Sequence, residues 1–181
     1  MIAPTAQPPL RARLALAELT ARNILIAENI TAPPVPVERL LGESAFVHWY
    51  EDPKEEGFCI TGDDGPHVFL NKTMIKGCDA FTLAHELGHI KMGHIGIDQD
   101  LITPSLERNI KLEADYFAYC LLMPERWIRG AVGGGRRGCE HIRGLAHIFG
   151  VSYSSMNKRL ARLGLYHQEL IHRTWGEIQR R

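Results

Sequence analysis

The segment that most constrains this chain is a pentapeptide with two histidines, His85-Glu86-Leu87-Gly88-His89. The histidines are four residues apart, so in a helix their imidazoles lie one turn apart on the same face. Both rings can then bind a single Zn²⁺, and the glutamate after the first histidine can act as a general base on water at the metal. The pentapeptide therefore predicts a helix that carries a hydrolytic zinc site, most often that of a zinc peptidase.

The residues around the pentapeptide favour a helix that packs against a core. No proline interrupts residues 79–92, and Gly93 and Gly96 end the helix soon afterwards. The apolar residues, the two histidines and one glycine recur at helical spacing: Phe81, His85, Gly88, His89 and Met92. The alternative is a pair of ordinary core histidines, but imidazoles on an apolar face lose hydrogen bonds unless something satisfies them. This pattern favours the metal site.

A catalytic zinc usually takes a third protein ligand, and His94 is one candidate. His94 follows His89 by five residues. The metzincin pattern would need glycine at position 92 and histidine at position 95. Because Met92 and Ile95 occupy these positions, the chain is not a metzincin.

Glu113 is the better candidate for the third ligand. It lies in the middle of a second predicted helix, residues 105–122, on an apolar stripe. The stripe consists of Leu106, Ile110, Glu113, Phe117 and Leu121. A carboxylate on such a stripe is costly unless a cation or hydrogen-bond donors meet it, and zinc is a natural partner. The alternative is a partly exposed glutamate at the edge of the stripe.

Three segments of the chain carry a resemblance to a known family. They are residues 81–90 (FTLAHELGHI), 113–118 (EADYFA) and 121–124 (LLMP). These segments resemble the ImmA/IrrE family of metallo-endopeptidases, which are gluzincin-like. The resemblance implies that His85, His89 and Glu113 bind zinc and that Glu86 is the general base.

Further candidate residues follow from the chemistry of peptide hydrolysis. The oxyanion of the transition state needs a second donor besides the metal, and His94, Tyr116 and Tyr119 are candidates between which the sequence does not decide. Asp115 is two residues from Glu113, about 200° around the helix, so it cannot share that face. We expect Asp115 to orient a group next to the metal.

Length and composition predict one soluble domain. We expect residues 1–9 to be a disordered, proline-rich segment and residues 10–181 to form a single zincin-like metallopeptidase domain. Lys+Arg and Asp+Glu are 21 each, so net charge does not favour a nucleic-acid or membrane partner. No apolar run approaches the roughly 20 residues that span a bilayer, and no secretion signal is evident. We therefore expect a cytoplasmic protein.

The predicted fold class is α+β, a mostly helical, minimal zincin-like fold. Short aromatic or β-branched runs with turn residues between them predict a small antiparallel sheet next to the HExxH helix. The runs are residues 46–50, 57–61 and 67–70, after helices at 10–29 and 37–41. The edge strands of zincins often hold a peptide substrate by strand addition, and the family resemblance implies the same role here.

The C-terminal residues 141–165 resemble a helix-turn-helix. Gly150 would form the turn and Ser152 would cap the second helix. The second helix would display polar and basic residues, and its candidates for nucleic-acid contact are Lys158, Arg159 and Arg162. The alternative is that the two helices pack onto the zincin core with their basic residues in solvent. One such unit in a neutral chain gives weak DNA affinity, so we favour the alternative over DNA as a partner.

The resemblance also implies a class of substrate. Members of the family are associated with helix-turn-helix repressors, which they inactivate, often in stress-response or toxin–antitoxin systems. The residues before the predicted sheet lack a helix-turn-helix pattern, so a separately encoded repressor or antitoxin is the expected partner. We predict a zinc endopeptidase that cleaves such a regulatory protein. The alternative is a zinc-stabilised toxin or transcription-regulatory binding protein that acts through protein or DNA contacts without proteolysis. The complete motif favours catalysis, because a structural zinc needs no glutamate at position 86.

Overall fold

The computed structural model describes residues 11–51, 57–73, 79–97, 99–132 and 139–165. The helices within these ranges are α1 (Leu14–Ala27), α2 (Val37–Gly42), α3 (Asp79–Lys91), α4 (Pro104–Leu122), α5 (Glu125–Val132), α6 (Cys139–Phe149) and α7 (Tyr153–Arg162). The strands are β1 (Phe46–Tyr50), β2 (Gly57–Gly62) and β3 (Gly65–Asn71). The predicted α+β class, mostly helical with a small sheet, is confirmed. The predicted disordered segment, residues 1–9, lies outside the described residues.

Helix α4 forms the centre of the core. Thr103 caps it by accepting a hydrogen bond from the Leu106 amide at 3.2 Å, and Pro104 occupies its first turn. Its apolar face packs against α1 on one side and α3 on the other. Glu113 lies on this buried face and has no solvent exposure. The apolar stripe that the sequence predicts is therefore the central packing surface of the molecule.

Helices α3 and α4 approach each other closely at Gly88. A Cβ atom at Gly88 would lie 3.0 Å from Cδ1 of Phe117 and 3.1 Å from the Cα of Ala114. Only a residue without a side chain fits this space without moving one helix away from the other. The glycine within the HExxH motif thus sets the distance between the motif and the residues of α4.

The sheet is mixed rather than wholly antiparallel, which corrects that part of the prediction. β2 and β3 form an antiparallel hairpin, whereas β1 pairs with the other edge of β3 in parallel. The tight turn between β2 and β3 requires antiparallel pairing. β1 is not a neighbour of β2 in the sheet, because it lies on the opposite side of β3 and runs in the same direction as β3. Among the described strands, β2 is the edge strand that contacts α3.

The C-terminal helices α6 and α7 join at a tight turn, as predicted. Gly150 has a φ of 65°, and the hydroxyl of Ser152 accepts a hydrogen bond from the Ser155 amide at 3.1 Å. Met156 and Leu160 of α7 are buried, so the helix pair packs onto the rest of the core. None of the helices within the described ranges combines the length and apolar character that crossing a bilayer requires.

Candidate metal centre

His85 and His89 converge from successive turns of α3. Their Nε2 atoms are 3.0 Å apart. Two nitrogen ligands of one tetrahedral zinc, each about 2.0–2.1 Å from the metal, would lie about 3.3 Å apart. The two Nε2 atoms are therefore about as far apart as two ligands of one metal ion.

Asp115 of α4 contacts the Nδ1 atom of His85, the first histidine of the motif. Its Oδ1 is 2.9 Å from Nδ1 of His85. A carboxylate in this position accepts the Nδ1 proton and leaves the lone pair of Nε2 for a metal. The sequence predicts that Asp115 orients a neighbouring group, and the side chain that it contacts is that of His85.

Glu86 is a buried carboxyl close to the sheet. It is only 5% exposed, and burial raises its pKa, an effect that the charge of nearby His85 partly offsets. The pKa of the Cys59 thiol on β2 is raised to about 12, mainly by burial and further by the negative charge of Glu86. Glu86 therefore lies within electrostatic reach of the edge strand. A carboxyl with a raised pKa accepts and returns protons more readily near neutral pH.

The carboxylate of Glu113 is held by Arg13, a contact that the sequence analysis missed. The Arg13 amide donates to Oε1 at 2.7 Å, and its guanidinium donates to Oε2 at 2.8 Å and 3.0 Å. Burial acts to raise the pKa of Glu113, but the hydrogen bonds from Arg13 and His94 outweigh it and lower the pKa below its usual value. The cation required by this buried carboxylate is thus a guanidinium, 100 residues away in the chain.

His94 joins Glu113 to the motif. Its Nε2 lies 2.9 Å from Oε2 of Glu113, and its Nδ1 lies 3.1 Å from Nδ1 of His89. Within the described ranges, no three His, Cys, Asp or Glu side chains are grouped as a metal ion would need. In this conformation Glu113 therefore reaches the histidine pair through His94.

The number of protons in this chain of contacts indicates whether a metal fits. Asp115, His85, His89, His94 and Glu113 are joined by four successive contacts. Each contact needs one proton, but three neutral imidazoles carry only three. Burial lowers the pKa of His94 and lowers that of His89 to about 3, which disfavours a fourth proton. A metal ion held by His85 and His89 would remove the need for it, so these residues fit a metal.

The three candidates for oxyanion stabilisation have different surroundings. The hydroxyl of Tyr116 donates to Glu18 of α1 at 3.4 Å. The ring of Tyr119 lies 4.8 Å from that of Phe81 and is covered by the guanidinium of Arg162. Of these three candidates, only His94 has a described hydrogen-bond contact with a motif histidine.

The basic residues predicted on α7 are not all on its exposed face. Lys158 and Arg162 are exposed, but Arg159 is only 3% exposed, and its Nε donates to the carbonyl oxygen of Met123 at 3.0 Å. The expectation that Arg159 is displayed to a nucleic acid is therefore wrong. The helix turns this side chain towards the end of α4, where it is buried with Met156 and Leu160. The candidate DNA-contacting surface is correspondingly smaller.

The fold is similar to that of a solved protein, a Mycobacterium tuberculosis transcriptional regulator. The TM-score is 0.59 at 17% sequence identity, over 81% of this chain and 46% of that one. The chain thus spans about half the length of the regulator, and at this identity the likeness concerns the fold alone. No curated protein matches the sequence.

The family model named Peptidase_M78, described as the IrrE N-terminal-like domain, matches residues 41–161. The match contains α3 with both motif histidines, all of α4 and the sheet. It covers well over half of the chain and agrees with the resemblance that the HExxH and EADYFA segments indicate. The chain therefore belongs to the Peptidase_M78 family of IrrE N-terminal-like domains.

Proposed function

We propose that this protein is a zinc-dependent endopeptidase, in which His85 and His89 bind zinc and Glu86 is the general base. The observation that carries the proposal is the 3.0 Å approach of the two Nε2 atoms, next to a buried glutamate. Membership of a metallopeptidase family supports the same reaction class. A zinc ion held there would supply Lewis-acid polarisation of the scissile carbonyl and of the attacking water.

Protein side chains carry out proton transfer and hold the histidine ligand in position. Glu86 takes a proton from the attacking water and delivers it to the nitrogen of the leaving amine. Its raised pKa suits both steps, because the carboxylate gains the proton more readily than an exposed one. Asp115 keeps the His85 ring in one tautomer and one orientation through its 2.9 Å contact.

Glu113 has two candidate roles in this mechanism. As the third zinc ligand, which the family resemblance implies, it would have to leave Arg13 and His94. As an anchor, it would stay in place and hold His94 against His89. Replacing Arg13 separates these roles in a zinc-binding assay. Zinc affinity rises in Arg13→Gln if Glu113 is a ligand that Arg13 withholds, and falls if Glu113 is an anchor that Arg13 supports.

The position of β2 at the edge of the described sheet supports the proposal that a peptide substrate binds by strand addition. β2 lies at the edge of the described sheet and contacts α3, the helix with the motif. An extended peptide can add to such an edge through main-chain hydrogen bonds. Phe58 and Ile60 on β2 are 38% and 48% exposed and are available for substrate side chains. We infer that the substrate is a regulatory protein, namely a separately encoded helix-turn-helix repressor or antitoxin.

One observation favours a second function, that of a regulatory binding protein or toxin that does not cleave its partner. The described residues contain no third metal-binding side chain grouped with the histidine pair. A centre of two histidines would hold zinc weakly, and the function would then rest on binding a partner rather than on catalysis. In that case the partner would bind through protein contacts or through the exposed Lys158 and Arg162 of α7.

Co-expression with the protein encoded beside this one, if that protein carries a helix-turn-helix, tests the proposal. Intact masses are measured after co-expression with wild type, with Glu86→Gln and with the control Glu107→Gln, an exposed residue of α4. We expect fragments of the partner with wild type and with the control, and an intact partner with Glu86→Gln, which should retain its zinc. An intact partner that co-purifies with all three proteins would favour the binding function instead.

A further inference from the structure

A cavity of about 260 Å³ lies at the end of α4, apart from the histidine pair. Its walls come from α1, the last turn of α4, the start of α5 and α7. The volume is below the range of pockets that hold drug-sized ligands, so it suits a small metabolite. Neither the HExxH residues nor Asp115 line it.

Three arginines line this cavity: Arg22, Arg126 and Arg159. Among the ion pairs of the described residues, none involves these three, whereas Arg13, Arg39 and Arg129 are all paired with glutamates. Three arginines without an ion pair among the described residues therefore line one space.

The burial of Arg159 makes this arrangement costly. Its side chain is 97% buried, since 3% of the residue is exposed, and the described contacts of its guanidinium are the carbonyl oxygen of Met123 and a weak 3.9 Å contact to the sulfur of Cys120. These neutral groups do not balance a full positive charge. A buried charge is normally paired or stabilised by a ligand.

The charged residues that line the cavity leave an excess of two positive charges. Glu18 and Glu125 also line it, but Glu125 is already paired with Arg129 at 2.6 Å. Three arginines thus line the cavity together with one glutamate, Glu18, that has no ion pair within the described residues. The cavity also lies at the N-terminal end of α5, where the helix dipole favours an anion.

We propose that this cavity binds a small molecule through a phosphoryl group. A phosphate monoester carries close to two negative charges at neutral pH, which matches the excess, and arginine binds its oxygens in a bidentate manner. The cavity is shaped by α1 and α4, the helices that also carry Arg13 and Glu113, so the ligand would bind to the same framework as the metal centre. The proposal does not depend on whether the protein is a peptidase.

Titration calorimetry with inorganic phosphate and with glycerol 3-phosphate, against acetate at equal ionic strength, tests this inference on the full chain. We expect saturable binding of one phosphoryl group per chain. Arg22→Gln and Arg126→Gln, both at exposed positions, should each weaken it by roughly tenfold or more, because each removes a charge-assisted hydrogen bond. Arg108→Gln, an equal loss of charge on α4 away from the cavity, should leave the affinity unchanged.

Three results would overturn the proposal. One is the absence of saturable binding with either phosphoryl compound. The second is an equal loss of affinity in Arg108→Gln, which would show a response to overall charge alone. The third is acetate binding as tightly as phosphate, which would assign the cavity to a carboxylate. Circular dichroism and thermal unfolding of each variant establish that the folded protein is compared throughout.

Discussion

One buried charge, Glu113, lies in α4 and a second, Arg159, packs against the end of α4, and their surroundings differ. Glu113 has no exposure, and its carboxylate is bonded by the backbone and guanidinium of Arg13 and by His94. Arg159 is almost as buried, but the described partners of its guanidinium are a carbonyl oxygen and a sulfur atom. The fold balances the charge of Glu113 internally, whereas that of Arg159 faces a cavity.

This difference separates two uses of a buried charge. A charge with a complete set of partners contributes to the folded state, and removing one partner leaves the other uncompensated. A charge without an opposite partner costs stability and is retained where a ligand supplies the missing charge. Two substitutions, Arg13→Met and Arg159→Met, test this distinction, and two others test the packing of α4 and its contact with the motif.

The largest expected effect follows from removing the partner of Glu113. In Arg13→Met the carboxylate stays buried without its guanidinium, so we expect the free energy of unfolding to fall by about 3 kcal/mol. The side chain of Arg13 is itself 36% exposed, which places the loss at the lower end for buried pairs. Urea denaturation at neutral pH measures this change in the free energy of unfolding.

Arg39→Met is the matched control, because Arg39 also contacts two glutamates but at the surface. We expect a much smaller loss than for Arg13→Met, because solvent screens the ion pairs of Arg39. Acidification gives a second readout. Folding lowers the pKa of Glu113, so its stabilisation is present above the usual pKa of a glutamate and is lost as the pH falls through the lowered pKa of the folded protein. The gap between wild type and Arg13→Met should therefore narrow at low pH. Equal losses for both variants at neutral pH would contradict the comparison.

The second effect concerns the spacing of the two helices. Gly88→Ala places a methyl group against Phe117 and the backbone of Ala114, so we expect a loss of about 2 kcal/mol as α3 moves away from α4. Gly144→Ala in α6 is the control, since a Cβ atom at this position would have no neighbouring atom within 4 Å. It should keep or raise the melting temperature. An unchanged melting temperature in Gly88→Ala would show that the helices separate at little cost.

The third effect is on metal affinity rather than on stability. Asp115→Asn removes the negative charge behind His85, and we expect zinc affinity to fall by about 10- to 100-fold. Competition with a chromogenic chelator measures this change, and Glu107→Gln on the same helix is the control. Unchanged affinity would mean that the contact to Asp115 does not act on the metal.

The smallest expected effect comes from removing the second buried charge. Arg159→Met replaces a guanidinium without a described carboxylate partner by an apolar side chain of similar length. We expect the free energy of unfolding to change by less than about 1 kcal/mol, since the lost charge was not balanced. A loss as large as that of Arg13→Met would contradict the comparison, because it would require a carboxylate partner for Arg159.

Local patterns predicted much of the fold. Periodicity located α3 and α4, and the spacing of Gly150 and Ser152 located the turn and cap of the C-terminal helix pair. The same periodicity indicated that Glu113 needs a cation. These features depend on residues that are near each other in the chain.

Other features depend on contacts that local patterns do not encode. The cation that meets Glu113 belongs to Arg13, and no signal near residue 13 indicated this contact. The sequence around Arg159 predicts a surface residue of a polar helix. Its burial depends on the packing of α7 against the end of α4, which the local pattern does not encode. The parallel pairing of β1 with β3 likewise depends on which edge of the hairpin the strand joins.

The contact of Arg13 bears on where the folding unit begins. The family model starts at residue 41, after α1 and its arginine. A recombinant fragment trimmed to residues 41–161 would lack both the helix that covers α4 and the guanidinium that neutralises Glu113. Its centre would contain a bare carboxylate beside His94, and such a fragment would be a poor substitute for the whole chain in any assay. The minimal autonomous unit therefore extends at least to Arg13, beyond the span that sequence similarity delimits.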